Sequence, residues 1–130
     1  MIVLDTHIWI WWVHDEERLS TAQLRAIHEH EAEGLGISAI SFWEIAKLVE
    51  KKRLLLPVEI ERWFELATSY PGIRVFSITP EVAITSTQFP SDFSQDPADQ
   101  LIAATAIVNQ CSLITSDGKL LAYSKLKTIH

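Results

Sequence analysis

The sequence predicts an α/β protein with a central parallel sheet of about five strands flanked by helices. Short apolar segments alternate along the chain with longer segments of helical periodicity, and strands separated by helices need crossover connections that make a sheet parallel. The 130 residues suit one domain, spanning 1–130, with one core. A hydrophobic fraction of 48% and a charged fraction of 22% are typical of a soluble globular chain.

Five short apolar segments are the predicted strands. They cover residues 2–4, 35–39, 74–78, 112–115 and 127–129. Gly34 and Gly36 interrupt the chain near the second of these, and the Pro71-Gly72 pair precedes the third. The sequence therefore places a crossover between each strand and the next.

The segments between the strands have helical periodicity. The predicted helices cover residues 6–14, 20–33, 41–52, 57–70, 80–88, a segment that opens at 97 and runs to 108, and 119–124. Ser20 or Thr21 is the expected N-cap of the second helix, and Pro80 and Pro97 stand at helix starts, where proline is favoured. Residues 89–95 are predicted to form a loop.

The net charge of −6, from 17 acidic and 11 basic residues, argues against a protein that holds nucleic acid by bulk positive charge. This argument weakens if the acids cluster around bound cations. The basic residues are concentrated in one segment, which contains Lys47, Lys51, Lys52 and Arg53. That segment can be a solvated helix end or a surface that contacts phosphate, and the sequence leaves both open.

The expected location is the cytoplasm. Cys111 is the single cysteine, so an intrachain disulfide is impossible and a reducing compartment is permitted. The first residues lack the basic region of a signal peptide and reach an acid at position 5. The longest apolar runs, 8–13 and 101–108, are too short to span a bilayer, so no membrane association is expected.

Four acidic residues beside apolar runs are the candidate functional residues: Asp5, Glu44, Asp99 and Asp117. In parallel sheets, ligands bind outside the carboxyl ends of the strands, where Asp5 and Asp117 are predicted to lie. Two unit charges 4 Å apart repel by roughly 4 kcal/mol at an effective dielectric near 20. Converging carboxylates therefore need protons or a hard divalent cation to neutralise them.

Each acid also has a purely structural interpretation. Asp5 can cap the helix that follows it, and Glu44 fits a capping box with Ser41. Asp96 precedes a proline at a helix start, and Asp117 precedes a glycine in a turn dipeptide. Such roles explain each position singly, but they do not explain why the acids should all fall at one edge of the sheet.

Asp99 is harder to explain as a cap alone. It shares a helix face with Ala103 and Ala106, and small residues there let the helix approach the sheet, which would carry the carboxylate towards the strand ends. Small hydroxyl residues beside the acids can orient carboxylates or water, or can equally cap helices. They are Thr6, Ser41, Thr115 and Ser116.

Four motifs together resemble the PIN-domain ribonucleases, and among them the VapC toxins of bacterial and archaeal toxin–antitoxin pairs. The motifs are Ile-Val-Leu-Asp-Thr, Ser-Phe-Trp-Glu-Ile-Ala, Asp-Pro-Ala-Asp-Gln-Leu-Ile-Ala-Ala-Thr-Ala and Leu-Ile-Thr-Ser-Asp. They occur in the family's order and cover nearly the whole chain, and Lys-Leu-Lys-Thr-Ile-His resembles the closing strand. The resemblance implies a PIN-like three-layer sandwich.

The resemblance also implies hydrolysis of RNA by water that one or two Mg²⁺ or Mn²⁺ ions activate. It assigns Asp5 and Asp99 as direct metal ligands, with Glu44 and Asp117 completing the site directly or through water. Asp96 is expected to be an N-cap or an outer partner. The implied partners are an RNA substrate, a second copy of the chain in a homodimer, and an antitoxin whose tail covers the acidic groove.

The chain has five tryptophans, and the sequence predicts a location for each. On a helix, Trp9 and Trp12 share a face while Trp11 points elsewhere. Core packing is the expected role for most of this area, with a subunit or antitoxin contact as the alternative. Trp43 and Trp63 are both predicted to lie in the core.

Three other classes compete with this interpretation. A haloacid-dehalogenase-like hydrolase needs a second acid at position 7, where this chain has His7. A receiver domain needs an acidic pair near the first strand and a late lysine, but the late strand leads into Ser116 and Asp117. A non-catalytic PIN-like module that binds RNA or protein keeps the fold without the chemistry.

Overall fold

The centre of the molecule is a five-stranded sheet. A computed structural model describes all of residues 1–130. The strands are β1 (Ile2–Leu4), β2 (Leu35–Ser38), β3 (Ile73–Phe76), β4 (Ser112–Ile114) and β5 (Thr128–Ile129). All neighbouring pairs are parallel, in the order β3-β2-β1-β4-β5. The predicted α/β class and parallel sheet are therefore confirmed.

Seven α-helices and one 3₁₀ turn connect the strands. They are α1 (Thr6–His14), a 3₁₀ turn (Glu16–Arg18), α2 (Thr21–His30), α3 (Ile40–Glu50), α4 (Ile60–Ala67), α5 (Pro80–Ser86), α6 (Pro97–Val108) and α7 (Gly118–Leu121). No helix combines the length and the apolar character that crossing a membrane requires. The predicted loop at 89–95 falls, as expected, between α5 and α6.

Five helices, α2, α3, α4, α5 and α7, end two or three residues before their predicted ends, and α2 and α4 differ most from the predictions. The second helix ends at His30 rather than at residue 33, because the chain turns there before β2. The fourth begins at Ile60 rather than at residue 57, and ends at Ala67 rather than at 70. Leu54 and Leu56 pack against the core from the non-helical segment before it, so tertiary contacts override the helix signal at Pro57.

The sheet separates two apolar clusters, and the strand period decides which residues enter each. Ile2 and Leu4 of β1 belong to one cluster, together with Trp9 of α1. Val3, which points the opposite way, belongs to the other cluster, together with Ala103 of α6. Helices thus cover both faces, which gives the three layers that the sequence resemblance implies.

Three of the tryptophans lie where the sequence predicts. Trp9, Trp12 and Trp63 are buried in the first cluster. Trp11, one position from the buried face of α1, is only half-buried. The helical spacing of these residues was therefore a sound guide to their burial.

The prediction that Trp43 is a core residue is wrong. Its side chain is 54% exposed, because α3 buries Ser41 and Ile45 and turns Trp43 to solvent. The Lys47 ammonium lies 6.0 Å from the centre of the Trp43 ring and also pairs with Glu50 at 3.0 Å. This part of the basic segment therefore has neighbours on its own helix.

The connections reverse direction around β1. The chain leaves β1 for β2 on one side, whereas β4 lies on the other side of β1. Open α/β sheets bind ligands at such a switch point, outside the carboxyl ends of the strands. The pairing of Leu4 with Ile114 brings the residues that follow them, Asp5 and Thr115, side by side at this edge.

Candidate active site at the carboxyl edge of the sheet

A cavity of about 400 Å³ opens at the switch point, and five carboxyl side chains line it. The acids are Asp5, Glu44, Asp96, Asp99 and Asp117, and the rest of the wall is formed by His7, Ile8, Trp11 and Ser116. The four acids singled out in the sequence thus meet at one place. Asp96, expected to be a cap or outer partner, lines the same cavity.

Asp5 caps α1 and faces the cavity at the same time. Its Oδ1 accepts a hydrogen bond of 2.9 Å from the Thr6 backbone N–H, which is the capping role that its position predicts. Its Oδ2 accepts a hydrogen bond of 2.7 Å from the Thr115 hydroxyl. Both carboxylate oxygens are therefore held in place, in a side chain that is only 8% exposed.

Thr115 connects two of the acids. Its hydroxyl donates to Asp5 and accepts from the Asp117 backbone N–H at 3.0 Å. Asp117 in turn accepts from the backbone N–H groups of Lys119 and Leu120 and so caps α7. Because Thr115 is completely buried, its hydroxyl fixes the spacing between the acid after β1 and the acid after β4.

Glu44 is placed by α3 without the predicted capping box. The helix begins at Ile40, and its N-cap residue Ala39 makes no side-chain bond. Ser41 lies inside the helix, and its hydroxyl bonds the Thr6 hydroxyl at 2.8 Å, which ties α3 to α1. Glu44 therefore projects from the first turns of α3 towards the cavity, and its buried Oε1 has no hydrogen-bond partner.

Asp96 and Asp99 stand at the start of α6. Asp96 is the N-cap, as predicted, and accepts from the Ala98 and Asp99 backbone N–H groups at 2.8 and 3.3 Å. The Ser94 hydroxyl donates to Asp99 Oδ2 at 2.7 Å and accepts from the Asp96 backbone N–H at 3.3 Å. Ser94 thus orients the Asp99 carboxylate and holds the backbone of Asp96, although nothing in its loop sequence indicated this.

Small residues bring α6 against the sheet. Ala103 and Ala106 are completely buried, and both belong to the cluster that contains Val3 of β1 and Leu113 of β4. Alanine at these positions allows a short distance between the helix and the strands. This packing explains how the carboxylate of Asp99, one turn before Ala103, reaches the acids that follow the strands.

The donor set fits a hard divalent cation. One carboxylate oxygen each from Glu44, Asp96 and Asp99 lie within 4.8 Å of one another. The ion pairs of the molecule are Met1–Glu33, Arg18–Asp15, His28–Glu31, Lys47–Glu50 and Arg62–Glu65, and none includes a cavity acid. Unpaired carboxylate oxygens without histidine or cysteine ligands are the chemistry that Mg²⁺ and Mn²⁺ prefer.

The electrostatics of the cavity favour protonation or a bound cation. Burial, against an opposing hydrogen bond with Thr6 and with a contribution from the charges of neighbouring aspartates, raises the pKa of Glu44 to about 7. Burial likewise raises the pKa of Asp99 to about 6, against the opposing hydrogen bond from Ser94. Burial also raises the pKa of Asp5, despite the hydrogen bonds from Thr115 and Thr6. A divalent cation would relieve the same cost that protonation relieves.

The remaining predicted hydroxyl residue, Ser116, has a partner that the sequence did not indicate. The buried Gln23 side chain donates to the Ser116 hydroxyl at 2.9 Å. The same Gln23 forms a capping box with Ser20 at the start of α2, which confirms Ser20 as the N-cap. A Ser-x-x-Gln pattern can be read from sequence, but its contact with the cavity cannot.

The chain, with its acidic cavity at the switch point of a five-stranded parallel sheet, matches a known protein family. The family model of the PIN domain matches residues 2–126, and the chain therefore belongs to the PIN domain family. Membership leaves the dehalogenase-like and receiver interpretations without support.

Similar proteins include a curated relative from Mycobacterium tuberculosis, Ribonuclease VapC22. It is 41% identical over 119 residues, which are 92% of this chain and 88% of that protein. The level of identity and the near-complete coverage exclude a match confined to one motif.

Solved structures share the fold at lower identity. The crystal structure of VapBC2 from Rickettsia felis bound to a promoter DNA fragment matches with a TM-score of 0.73 and 16% identity, covering 98% of this chain and 97% of that chain. FitAcB from Neisseria gonorrhoeae matches with a TM-score of 0.68 and 22% identity, covering 98% and 96%. At such identities the likeness concerns the fold alone.

Proposed function

We propose that this chain is a divalent-metal-dependent endoribonuclease that acts as the toxin of a toxin–antitoxin pair. The observation that carries the proposal is the convergence of Asp5, Glu44, Asp99 and Asp117 on one cavity in a PIN domain. The relative that is 41% identical is a ribonuclease, and the neighbouring structures include a toxin–antitoxin complex from Klebsiella pneumoniae. Both support the activity and the existence of a protein partner.

The proposed metal ligands are Asp5, Glu44, Asp99 and Asp117, with Asp96 as a further candidate. Bound Mg²⁺ or Mn²⁺ supplies charge neutralisation and Lewis-acid activation of phosphate and water. The chain's own contribution is orientation: Thr115 fixes Asp5, and Ser94 fixes Asp99. Glu44 presents a buried oxygen with no hydrogen-bond partner, which is available as a ligand.

The proposed partners follow from the same cavity. RNA is the substrate, and an antitoxin neutralises the chain by covering the acidic groove with a basic side chain that takes the cation's place. A homodimer is the proposed assembly and the cytoplasm the proposed location. A crystal of the complex in which no cationic side chain enters the groove would contradict the inhibition mechanism.

The function is tested by cleavage of total RNA with Mg²⁺ or Mn²⁺, with and without a chelator, followed by mapping of the cut ends. Wild-type protein is expected to cut RNA, and chelation is expected to stop it. Asp99→Asn is expected to lower the rate by more than about 100-fold and to leave the fold as stable or more stable, because it removes a repulsive buried charge.

Glu81→Gln, at an exposed position on α5, is the matched control and is expected to cut at the wild-type rate. A chelator-resistant activity would point to a contaminating nuclease. Wild-type cleavage by Asp99→Asn would overturn the site assignment. A wild-type protein that binds RNA without cutting it would instead support the non-catalytic PIN-like module.

A further inference from the structure

One wall of the acidic cavity is aromatic, and the metal ligands do not account for it. Trp11 packs only partly against the first apolar cluster, and it also borders the cavity. His7 and Trp11 line the cavity, although binding of Mg²⁺ or Mn²⁺ needs only oxygen ligands. They lie one turn apart on α1, so their rings share a face of the helix, 5.9 Å between centroids and inclined by 53°. Trp9 and Trp12 fill the core from the same helix, whereas Trp11 is half-buried and borders the cavity.

A cation lies over the same ring. The Arg18 guanidinium is 5.3 Å from the centre of the Trp11 ring, and it is 62% exposed. Its ion-pair partner is Asp15, at 3.6 Å, rather than an acid of the cavity. Trp11 therefore borders a strongly negative cavity and has a positive charge over its ring.

The shape of the cavity favours an extended occupant. It adjoins a second cavity of about 600 Å³, and the two share Asp96, Asp99 and Asp117. A chain molecule can follow both cavities, whereas a small ligand needs only one. An occupant with a phosphate at the acids would place its neighbouring unit against the aromatic wall.

We propose that Trp11, with His7 and Arg18, forms a stacking platform for the base of a nucleotide next to the scissile phosphate. This inference rests on the ribonuclease function proposed above. Bases stack on aromatic rings and on arginine planes when they are splayed out of a helix, so the platform selects single-stranded RNA at the cut. Arg18 adds positive charge where the polyanion enters, which partly offsets repulsion by the cavity acids.

The first test compares variants for binding to a ten-nucleotide single-stranded RNA that spans the mapped cut. It is done in the cleavage-deficient Asp99→Asn background, by fluorescence anisotropy. Trp11→Leu keeps apolar volume for the core but removes the flat ring, and is expected to weaken binding on the order of 5- to 150-fold. Trp11→Phe is expected to retain most of the affinity.

Trp43→Ala is the matched control, since Trp43 is also an exposed tryptophan beside a cation but lies outside the cavity. It is expected to bind RNA as the parent does. Thermal unfolding establishes that each variant is folded. If Trp11→Leu is folded and binds the RNA as tightly as its parent, the platform is overturned.

The second test uses RNAs in which one base at a time is replaced by an abasic ribose. The parent is expected to lose affinity sharply at one position beside the cut, and Trp11→Leu is expected to show no further loss there. Equal losses in both proteins at every position would overturn the proposal. So would a Trp11→Leu variant that loses affinity for the partner protein but not for RNA, because the wall would then be a protein-binding surface.

The two proposals fail in different ways. A wild-type protein that neither cuts nor binds RNA overturns the ribonuclease function and the platform with it. If Trp11→Leu is introduced into the otherwise wild-type chain and cuts RNA with the KM and kcat of wild type, the platform alone is overturned.

Discussion

At the scale of single residues, the cavity depends on hydroxyl groups that hold carboxylates in place. Thr115 donates to Asp5 and accepts from the backbone of Asp117, and Ser94 donates to Asp99. Each hydroxyl uses its donor on an acid and its acceptor on the backbone, so the acids are oriented before any cation binds. Preorganised ligands of this kind lose less entropy on binding a metal.

Thr115→Val replaces the hydroxyl by a methyl group of nearly the same size. We expect a loss of about 1–3 kcal/mol in the free energy of unfolding, because a buried carboxylate and a backbone N–H lose their partner. RNA cleavage is expected to fall about 10- to 100-fold, because Asp5 is no longer held in place. Urea unfolding and cleavage rates measure the two effects, and Thr115→Ser should restore both. An unchanged rate would show that Asp5 needs no such support.

Asp96 has two roles that a pair of substitutions can separate. Asparagine is as good an N-cap as aspartate, so Asp96→Asn is expected to leave the free energy of unfolding within about 0.5 kcal/mol of wild type. Asp96→Ala is expected to cost about 1 kcal/mol, because the Ala98 and Asp99 N–H groups lose their acceptor.

If Asp96 contributes an oxygen to the cation, both variants bind Mn²⁺ more weakly, and calorimetric titration is expected to show this for Asp96→Asn as well. Wild-type Mn²⁺ affinity in a folded Asp96→Asn variant would reduce Asp96 to a helix cap.

At the scale of elements, the site depends on how closely α6 packs on the sheet. The acids Asp96 and Asp99 open this helix, while Ala103 and Ala106 face the strands that lead to Asp5 and Thr115. The helix therefore positions half of the carboxylates relative to the other half. Its alanines matter to function although they touch no ligand.

Ala103→Leu tests this dependence. A larger side chain between α6 and the sheet forces the two apart, which is expected to lower the free energy of unfolding by about 1–3 kcal/mol. We also expect slower cleavage and weaker Mn²⁺ binding, because the acids of α6 move away from Asp5. Ala22→Leu, the same substitution on an exposed position of α2, is the control and should change none of the three. Full activity in Ala103→Leu would mean that the site tolerates a displaced helix.

At the scale of the whole molecule, the acidic cavity links stability to pH and to metal. The ordinary pKa values are 4.5 for Glu44 and 3.8 for Asp99, and burial raises them to about 7 and about 6 in the folded chain. At a pH between the ordinary and the raised pKa values, the folded state binds more protons than the unfolded state. Stability contributed by these groups is therefore highest below about pH 4 and declines as pH rises towards 7.

We expect metal-free wild-type protein to lose about 1–3 kcal/mol from this source between pH 4 and pH 7, after allowance for solvent screening. Glu44→Gln has no titrating group at position 44, so its free energy of unfolding is expected to fall less over the same pH range. Mn²⁺ should stabilise the wild type more at pH 7 than at pH 5, because protons compete for the same oxygens. Thermal unfolding across pH, with and without Mn²⁺, measures this. Identical pH profiles for wild type and Glu44→Gln would show that the cavity carries no such strain.

The sequence by itself determined the layered α/β architecture, the identity of the acids and four of the helix caps, but it wrongly predicted a capping box of Ser41 and Glu44. Apolar periodicity reports which face of an element is buried, and Asp5, Ser20, Asp96 and Asp117 are caps because of residues within four positions of them. The order of strands and helices along the chain then restricted the acids to one edge of a parallel sheet.

Only the tertiary structure decided which side chains meet. Periodicity does not show which side chains of different elements come into contact. The hydrogen bonds of Ser94 with Asp99, Gln23 with Ser116 and Thr6 with Ser41 could therefore not be predicted from the sequence. The same limitation made Trp43 look like a core residue, because a large apolar side chain does not by itself reveal which face of α3 is covered. Contacts between residues far apart in the chain depend on how elements pack, and that packing is a property of the whole molecule.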